Sequence, residues 1–536
     1  MSSSVTRDPH CRLIVVCVLF GVLSLTVVRP GLPLGWDELV YASRFTPYGP
    51  ETPFSAPRTR GVPLLIAPVA AFTDSVAALR CYLTVTASLA LYLGYRPWLR
   101  VFQERGPQPE PSGRSEGAGG TGGVGGVVPL AAGFYGSVWF ALFYAGSAMP
   151  NHYVAMGLAA AVGCFVRADL TTSTLSTPST SRTSRTSRTS RTPTSRLCAG
   201  IGAGLAGAAL MRPNDAVWPA LALLAVALWA VARSGERGRP RGRWAWIAGA
   251  VAAGPALALV PWIVEAQLRF GGVPARVRAA SEVQGGMRPA FSLPAHAAAL
   301  DGPLLCRPCG GTPVGWASVA WWLLIPPLVT LGVHAARARG RTRQAVLPLV
   351  AGLAVAVPYL FFMSYAAPRF LLPAYALLAP VAALGGCALA PRVRRTPRLR
   401  PLRPLAAAAV ALQLGFQLYQ LELHSGIQAA AREDWRRLDR LLSAHGVRPP
   451  CVLSGNSSAV PVAHTAGCRP ADATAAHPPS ALILRGHPLP AWAARAGWRL
   501  HPVPGTYNPG WRVALPPAGV TGSTGRWPAA GLRWPG

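Results

Sequence analysis

The feature that most constrains this chain is its series of long apolar segments. A helix needs roughly 20 mostly apolar residues to cross the hydrocarbon core of a bilayer, and about eleven segments approach or reach that length. They are residues 12–28, 76–95, 127–146, 152–167, 197–211, 215–232, 244–263, 314–334, 346–363, 370–390 and 404–421. Only 13% of the residues are charged, about half the share in a soluble protein. The sequence therefore predicts an all-α polytopic membrane protein and excludes one soluble globular domain.

The arginines lie mainly between these segments, and their positions predict the topology. Cytoplasmic loops of membrane proteins carry an excess of basic residues. With the N-terminus inside, the arginine-dense connections all fall on the cytoplasmic side: 96–114, 182–196, 233–243, 337–343 and 392–403. Topology then explains the formal net charge of +32 without a nucleic-acid partner. We expect a multi-pass protein of the plasma membrane, with residues 29–75, 264–313 and everything after 421 outside.

The first apolar segment is open to two interpretations. Arg7 and Arg12 precede an apolar core of signal-peptide length, but no small-x-small cleavage site follows it, which favours a retained signal anchor. The later stretch Gly61–Phe72 is too short to cross a bilayer and contains two prolines. We expect it to form a short helix at the outer membrane interface.

The chain divides into a predicted membrane domain, residues 1–421, and a predicted outer tail, residues 422–536. Two inner connections, 104–126 and 170–196, are of low complexity and are expected to be flexible linkers. The tail combines a helical pattern with short strand patterns, which predicts a small extracytoplasmic α/β domain. Its expected elements are a helix at 432–444 and strands at 451–454, 481–484 and 511–515, followed by a frayed end from Thr521.

Four of the ten cysteines lie outside the predicted spans. Cys451 and Cys468 are in the tail, and Cys306 and Cys309 form a Cys-x-x-Cys in the large outer loop. Outside the membrane, pairing into disulfides is the default. Redox chemistry is one alternative; a zinc site is another, but it needs two further ligands and only His296 lies near.

Acidic residues are scarce, yet Asp37 and Glu38 stand together just beyond the first span, with Tyr41 one turn further on. Adjacent carboxylates in a helix point in different directions, so one can face a site while the other braces it or binds a cation. The alternative is an ordinary solvated loop.

Basic residues recur at the same predicted membrane surface, where Arg212 and Arg369 stand at the ends of spans. An arginine near a helix end can extend to the headgroups, so each one alone has a simple explanation. Together with the two acids they suit a reaction in which a base takes a proton and a cation receives an anionic leaving group.

This arrangement resembles the GT-C superfamily of integral-membrane glycosyltransferases, and within it the protein O-mannosyltransferase and aminoarabinose transferase families. Those enzymes have an Asp-Glu pair after the first span, a short interfacial helix, and an Arg-[Tyr/Phe]-Leu-Leu-Pro element at a late span. Here the corresponding residues are 37–38, 61–72 and 369–373, and the resemblance covers roughly 10–420. Many relatives carry His-Pro-Pro before the interfacial helix, whereas residues 57–63 of this chain contain no histidine.

The resemblance implies transfer of a hexose or pentose from a polyprenyl-phosphate carrier to a protein, glycan or lipid acceptor on the outer face. Asp37 is then the general base, and Glu38 orients it or shares a divalent cation such as Mg²⁺ or Mn²⁺ with it. Arg369 would stabilise the lipid-phosphate leaving group. Further candidates for substrate contact are Tyr41, Arg58, Arg60, His152 and Arg212; no cofactor beyond that cation is implied.

A lipid flippase or transporter is the alternative from another class. Such proteins often show internal repeats and ionisable residues deep within the spans. The sequence shows no convincing repeat, and its acids gather at the outer surface.

Overall fold

A computed structural model gives the structure of the chain. It describes residues 8–103, 125–173, 194–234, 241–302, 304–305, 314–399, 401–455, 459–472 and 478–517. Most of the two predicted linkers, Cys306, Cys309 and the expected frayed end lie outside the described residues.

The described residues form a bundle of long apolar helices. Nine of these helices are long and apolar enough to cross a bilayer, and one bent pair could form a tenth crossing. The nine are α1 (Pro9–Val27), α4 (Val76–Gln103), α7 (Asn151–Ser173), α8 (Thr194–Met211), α9 (Pro213–Ala232), α10 (Arg241–Phe270), α13 with α14 (Trp316–Val319 and Ile325–Arg337), α15 (Arg343–Phe361) and α16 (Leu372–Arg395). The predicted polytopic all-α fold is confirmed, and the first ten predicted segments each have a counterpart.

The third predicted span is bent. It consists of α5 (Val127–Gly136) and α6 (Trp139–Ala145), whose axes meet at 79°. The break leaves the backbone N–H of Trp139 without a helical partner, and this group donates to Oε1 of Gln417 at 2.8 Å. The apolar run predicts the crossing but not the bend, because the partner for the freed amide comes from a distant part of the chain.

The last helix, α17 (Leu402–Ala444), has 43 residues, or about 65 Å at 1.5 Å per residue. The sequence predicts a span at 404–421 and a separate tail helix at 432–444, but the two are one continuous helix. The predicted division between membrane domain and tail at residue 421 falls inside it. Any movement of the tail is therefore linked mechanically to the bundle.

Four short helices lie between the long ones at the predicted outer side: α2 (Trp36–Ala42), α3 (Gly61–Ala70), α11 (Val273–Val283) and α12 (Leu293–Asp301). The expected short apolar helix is present as α3. It begins against the end of α8 so closely that a Cβ on Gly61 would lie 2.5 Å from the carbonyl oxygen of Leu210. Glycine at this position permits the contact that fixes the start of α3.

The tail contains a five-stranded sheet in the order β2-β1-β3-β5-β4. Its strands are β1 (Val452–Gly455), β2 (Arg469–Pro470), β3 (Ala481–Arg485), β4 (Arg499–Pro502) and β5 (Trp511–Leu515), and short helices α18 (Ala459–Thr465) and α19 (Ala491–Arg495) connect them. β1 pairs in parallel with β2 and β3, whereas β5 is antiparallel to β3 and β4. Buried Leu453, Ile483 and Val513 pack against Leu438 and Leu442 of α17.

The predicted small α/β tail is thus confirmed. Sequence analysis missed β2 and β4 because the first has only two residues and the second is an exposed edge strand with little apolar alternation. A disulfide joins Cys451 to Cys468 across a separation of 17 residues, linking the start of β1 to the turn before β2.

We predict that replacing Cys451 and Cys468 by serine destabilises the tail, because a cross-link closing a loop of this length contributes about 3 kcal/mol. Limited proteolysis of the non-reduced protein should then cleave the 452–515 region faster. Cys81→Ser is the matched control, since this free cysteine is exposed on α4. Equal cleavage rates in the double mutant and the control would contradict the prediction.

Candidate active site

Several segments that are distant in sequence meet at the predicted outer end of the bundle. They are α2, the loop before α3, the end of α6, the turn between α8 and α9, and the short 3-10 helix Pro368–Leu371. Asp37, on the first turn of α2, lies between side chains from these segments. Its side chain is 31% exposed, so a ligand could reach it.

Two arginines hold the Asp37 carboxylate. Oδ1 accepts a hydrogen bond from Nη2 of Arg58 at 2.6 Å, and Oδ2 accepts one from Nη2 of Arg369 at 3.1 Å. Burial raises the pKa of Asp37, but the charges of Arg58 and Arg369 outweigh that effect and hold the pKa below its ordinary value. Asp37 is therefore a carboxylate at neutral pH.

Arg369 is fixed by contacts beyond Asp37. Its Nη1 donates to the hydroxyl of Tyr144 and to the carbonyl of Leu304, each at 3.0 Å. Its guanidinium lies 5.4 Å from the centroid of the Phe370 ring. These contacts hold the Arg369 guanidinium in one orientation.

Arg58 is fixed by aromatic rings. Its guanidinium lies 5.0 Å from the Trp36 ring and 4.9 Å from the Tyr41 ring, a spacing at which cation–π attraction operates. Nε donates to Oγ of Ser55 at 3.2 Å. The structure thus places Tyr41, a predicted substrate contact, beneath an arginine of the cluster.

Arg212 is a third cation beside the cluster. It lies 3.5 Å from Oδ2 of buried Asp215 and 5.3 Å from the Phe370 ring that also contacts Arg369. Its charge contributes to lowering the pKa of Asp37. Three of the arginines suggested by sequence thus surround one predicted acid, whereas the fourth, Arg60, has a different partner.

Glu38 points away from this cluster and is almost fully buried. Oε1 accepts from the backbone N–H of Ala148 at 3.0 Å, and Oε2 accepts from that of Gly35 at 2.7 Å. Arg80 pairs with both oxygens, at 3.1 and 3.2 Å, and Nη1 of Arg432 lies 3.9 Å from Oε2. Both oxygens are occupied by protein donors, so Glu38 braces α2 and is not placed to act on a substrate.

A divalent cation shared by Asp37 and Glu38 does not fit this geometry. The two carboxylates face different sets of arginines, which already neutralise them. Across the described part of the chain, no three His, Cys, Asp or Glu side chains come together in a way that could hold a metal ion.

Arg60 belongs to a second ion cluster. Its Nη2 donates to Glu265 at 2.5 Å, and Glu265 also pairs with fully buried Arg276 at 3.0 Å. Arg276 donates in addition to the carbonyls of Ala56 and Arg58, at 3.1 and 2.9 Å. This cluster fixes the loop that carries Arg58, and within it Arg60 pairs with Glu265 rather than with Asp37.

His152 lies inside the helix bundle. Its Nε2 is 2.9 Å from the carbonyl of Ala87, which can only accept, so Nε2 carries the hydrogen and Nδ1 accepts from the hydroxyl of Tyr135 at 3.0 Å. The ring stacks on Phe20. These contacts use both nitrogens, and they support the structural interpretation of His152 over contact with a substrate.

Sequence reasoning missed Arg80, Tyr144, Arg276 and Arg432. A signal for Arg80 was available, because an ionisable residue within a predicted span marks a functional site by default. Tyr144 lies in an aromatic run, and Arg432 lies among the many arginines of the tail. Nothing in the local sequence distinguishes these two.

The helix bundle and the small sheet of the tail form an overall fold that is also found in solved structures. Two crystal structures of ArnT from Cupriavidus metallidurans share it. The structure bound to undecaprenyl phosphate has a TM-score of 0.55 at 11% identity, covering 95% of this chain and 99% of that one. The apo structure has a TM-score of 0.54 at 12% identity, covering 94% and 97%. No protein-family model matches the sequence, and comparison with curated proteins found no match.

We predict that Glu38→Gln destabilises the protein far more than Asp37→Asn. Loss of one partner from a buried ion pair costs about 3 to 5 kcal/mol, and Glu38 is buried between Arg80 and Arg432, whereas water can reach Asp37. Thermal unfolding in detergent should show the larger fall in midpoint for Glu38→Gln. Glu51→Gln, a change at a side chain that is 70% exposed, should leave the midpoint nearly unchanged. A larger fall for Asp37→Asn than for Glu38→Gln would contradict this assignment.

Proposed function

We propose that this protein is a membrane glycosyltransferase that moves a hexose or pentose from a polyprenyl-phosphate carrier to an acceptor at the outer face of the plasma membrane. The observation that carries the proposal is the Asp37 carboxylate held between Arg58 and Arg369 at one end of a GT-C-like bundle. ArnT from Cupriavidus metallidurans shares this fold, and one of its crystal structures is bound to undecaprenyl phosphate.

The arginines suit the phosphate of such a donor. Transfer of the sugar breaks the bond between the anomeric carbon and a phosphate oxygen, so the lipid phosphate leaves with added negative charge. Preset arginine donors stabilise charge that develops in this way. Arg369 and Arg58 can donate directly, and Arg212 adds a third positive charge nearby.

Asp37 serves as the general base. The acceptor hydroxyl loses a proton as its oxygen attacks the anomeric carbon, and a carboxylate within hydrogen-bond reach can assist by about 10² to 10⁴-fold. Without ligand, the carboxylate is tied to both arginines. A phosphate competes for the same donors, so donor binding weakens those bonds and leaves Asp37 available to the acceptor.

The membrane orientation is part of the proposal. The lipid tail of the donor remains in the bilayer, so its phosphate has to be received at the membrane edge. The candidate site lies at the end of α8, the start of α9 and the start of α16, where such a phosphate would be accessible. Residues 422–536 would form an outer domain above this edge.

The test uses purified protein in liposomes with polyprenyl-phosphate mannose, glucose or arabinose and no acceptor, following slow release of free sugar and lipid phosphate. We expect release from one donor by the wild type and at least 100-fold less by Asp37→Asn. Asp74→Asn is the control, since Asp74 is exposed on the same predicted side before α4. Equal release by wild type and Asp37→Asn would contradict the role of Asp37; release from none of the donors, with flipping of the lipid instead, would favour a transporter.

The lowered pKa of Asp37 predicts a pH profile. A carboxyl group whose pKa is depressed stays ionised until the pH falls through that value, which for Asp37 lies below the ordinary value of an aspartate side chain. We therefore expect kcat/KM for donor hydrolysis, which reports the free enzyme, to show no loss from protonation of Asp37 between pH 7 and pH 5. An inflection near pH 6 that moves in Asp37→Glu would contradict the pairing with the two arginines.

A further inference from the structure

Arg432 extends from α17 to the segment that leads into α2. Its side chain is only 6% exposed. Nη1 donates to the carbonyl of Pro33 and lies 3.9 Å from Oε2 of Glu38. A Cβ on Gly35 would lie 3.0 Å from Nη2, so the backbone passes directly against this guanidinium. Arg432 therefore contacts α2 and the residues immediately before it.

Neutralising Glu38 does not require Arg432. Arg80 alone makes a bidentate pair with Glu38, and it also donates to the carbonyls of Leu32, Pro33 and Gly146 at 2.7, 2.9 and 2.9 Å. Adding a second buried cation beside a single carboxylate carries a desolvation cost. What Arg432 adds is a direct link from the tail helix to the start of α2.

A second contact joins the tail to the other end of the same segment. Nε2 of His464, on α18, lies 2.7 Å from the carbonyl of Tyr48. Because the carbonyl accepts, Nε2 carries the hydrogen. The segment containing α2 is thus held by the tail both before and after the helix.

We propose that Arg432 is a positioning residue for Asp37, which follows the Pro33–Gly35 segment and precedes Glu38 in α2. Arg432 acts through Glu38 and the Pro33 carbonyl to fix the orientation of α2, and so makes the tail part of the framework of the active site. Its kinetic consequence rests on the proposed function. A displacement of about 1 Å can lower the rate of a positioned reaction by about 10²-fold, so loss of this brace should lower kcat and leave donor binding by Arg58 and Arg369 intact.

The experiment compares Arg432→Met, which keeps an apolar stem, with Arg432→Lys, which keeps the charge. Hydrogen–deuterium exchange should rise at least threefold in the peptide covering residues 33–45 of Arg432→Met, with no change in strands β1, β3 and β5. For the donor that the wild type hydrolyses, kcat should fall at least 10-fold with KM within twofold of wild type. Arg432→Lys should recover part of both effects.

Arg436→Met is the matched control, because Arg436 lies about one turn further along α17, is 55% exposed and pairs with Glu433. It should match the wild type in exchange and kinetics. Unchanged exchange at residues 33–45 in Arg432→Met would overturn the proposal. So would an equal rise across the tail sheet, since Arg432 would then only hold the tail fold. If the wild type hydrolyses no donor, the proposed function fails while the exchange result still decides whether Arg432 positions α2.

Discussion

Two adjacent carboxylates hold the predicted outer end of this protein together, because each is surrounded by arginines from distant parts of the chain. Glu38 joins α2 to α4 through Arg80 and to α17 through Arg432. Asp37 joins it to the loop before α3 through Arg58 and to the start of α16 through Arg369. A buried charge is tolerated only when it is paired and hydrogen-bonded, so these pairings fix the positions of the elements that carry them.

The two acids differ in what surrounds them. Glu38 accepts from two backbone N–H groups and a bidentate arginine and has almost no exposure to solvent. Its contacts therefore stabilise the folded structure. Asp37 accepts only from arginines and remains partly exposed, so another anion can compete for its partners. The same dipeptide therefore supplies a buried brace and a partly exposed carboxylate, because the two side chains leave the helix in different directions.

Much of the fold could be predicted from sequence, since apolar runs and loop arginines carry the topology of a membrane protein. The positions of β1, β3 and β5 were also predictable, because apolar segments bounded by turn residues mark buried strands. The bend at Ser137–Val138 could not be predicted, because the glutamine that binds the freed amide is distant in sequence. The continuity of α17 could not be predicted either, because residues 422–431 have a mixed composition that shows no helical pattern.

For the candidate site, the sequence indicated Asp37, Arg58, Arg212 and Arg369, which lie together. It also suggested Arg60 and His152, which have other partners. Residue type and the predicted side of the membrane indicate that these residues share one surface. They do not predict which arginine pairs with which acid. Arg80 and Arg432 could not be identified as partners of Glu38 from sequence, because these contacts form only when the chain has folded.

In the proposed reaction, the arginines around Asp37 receive the phosphate of a polyprenyl lipid. The most direct measurement is a cryo-EM structure of the protein in nanodiscs with undecaprenyl phosphate. We expect the phosphate within hydrogen-bond distance of both Arg58 and Arg369, with at least one of their bonds to Asp37 broken. A lipid phosphate bound elsewhere, with Asp37 still bridging both arginines, would contradict it.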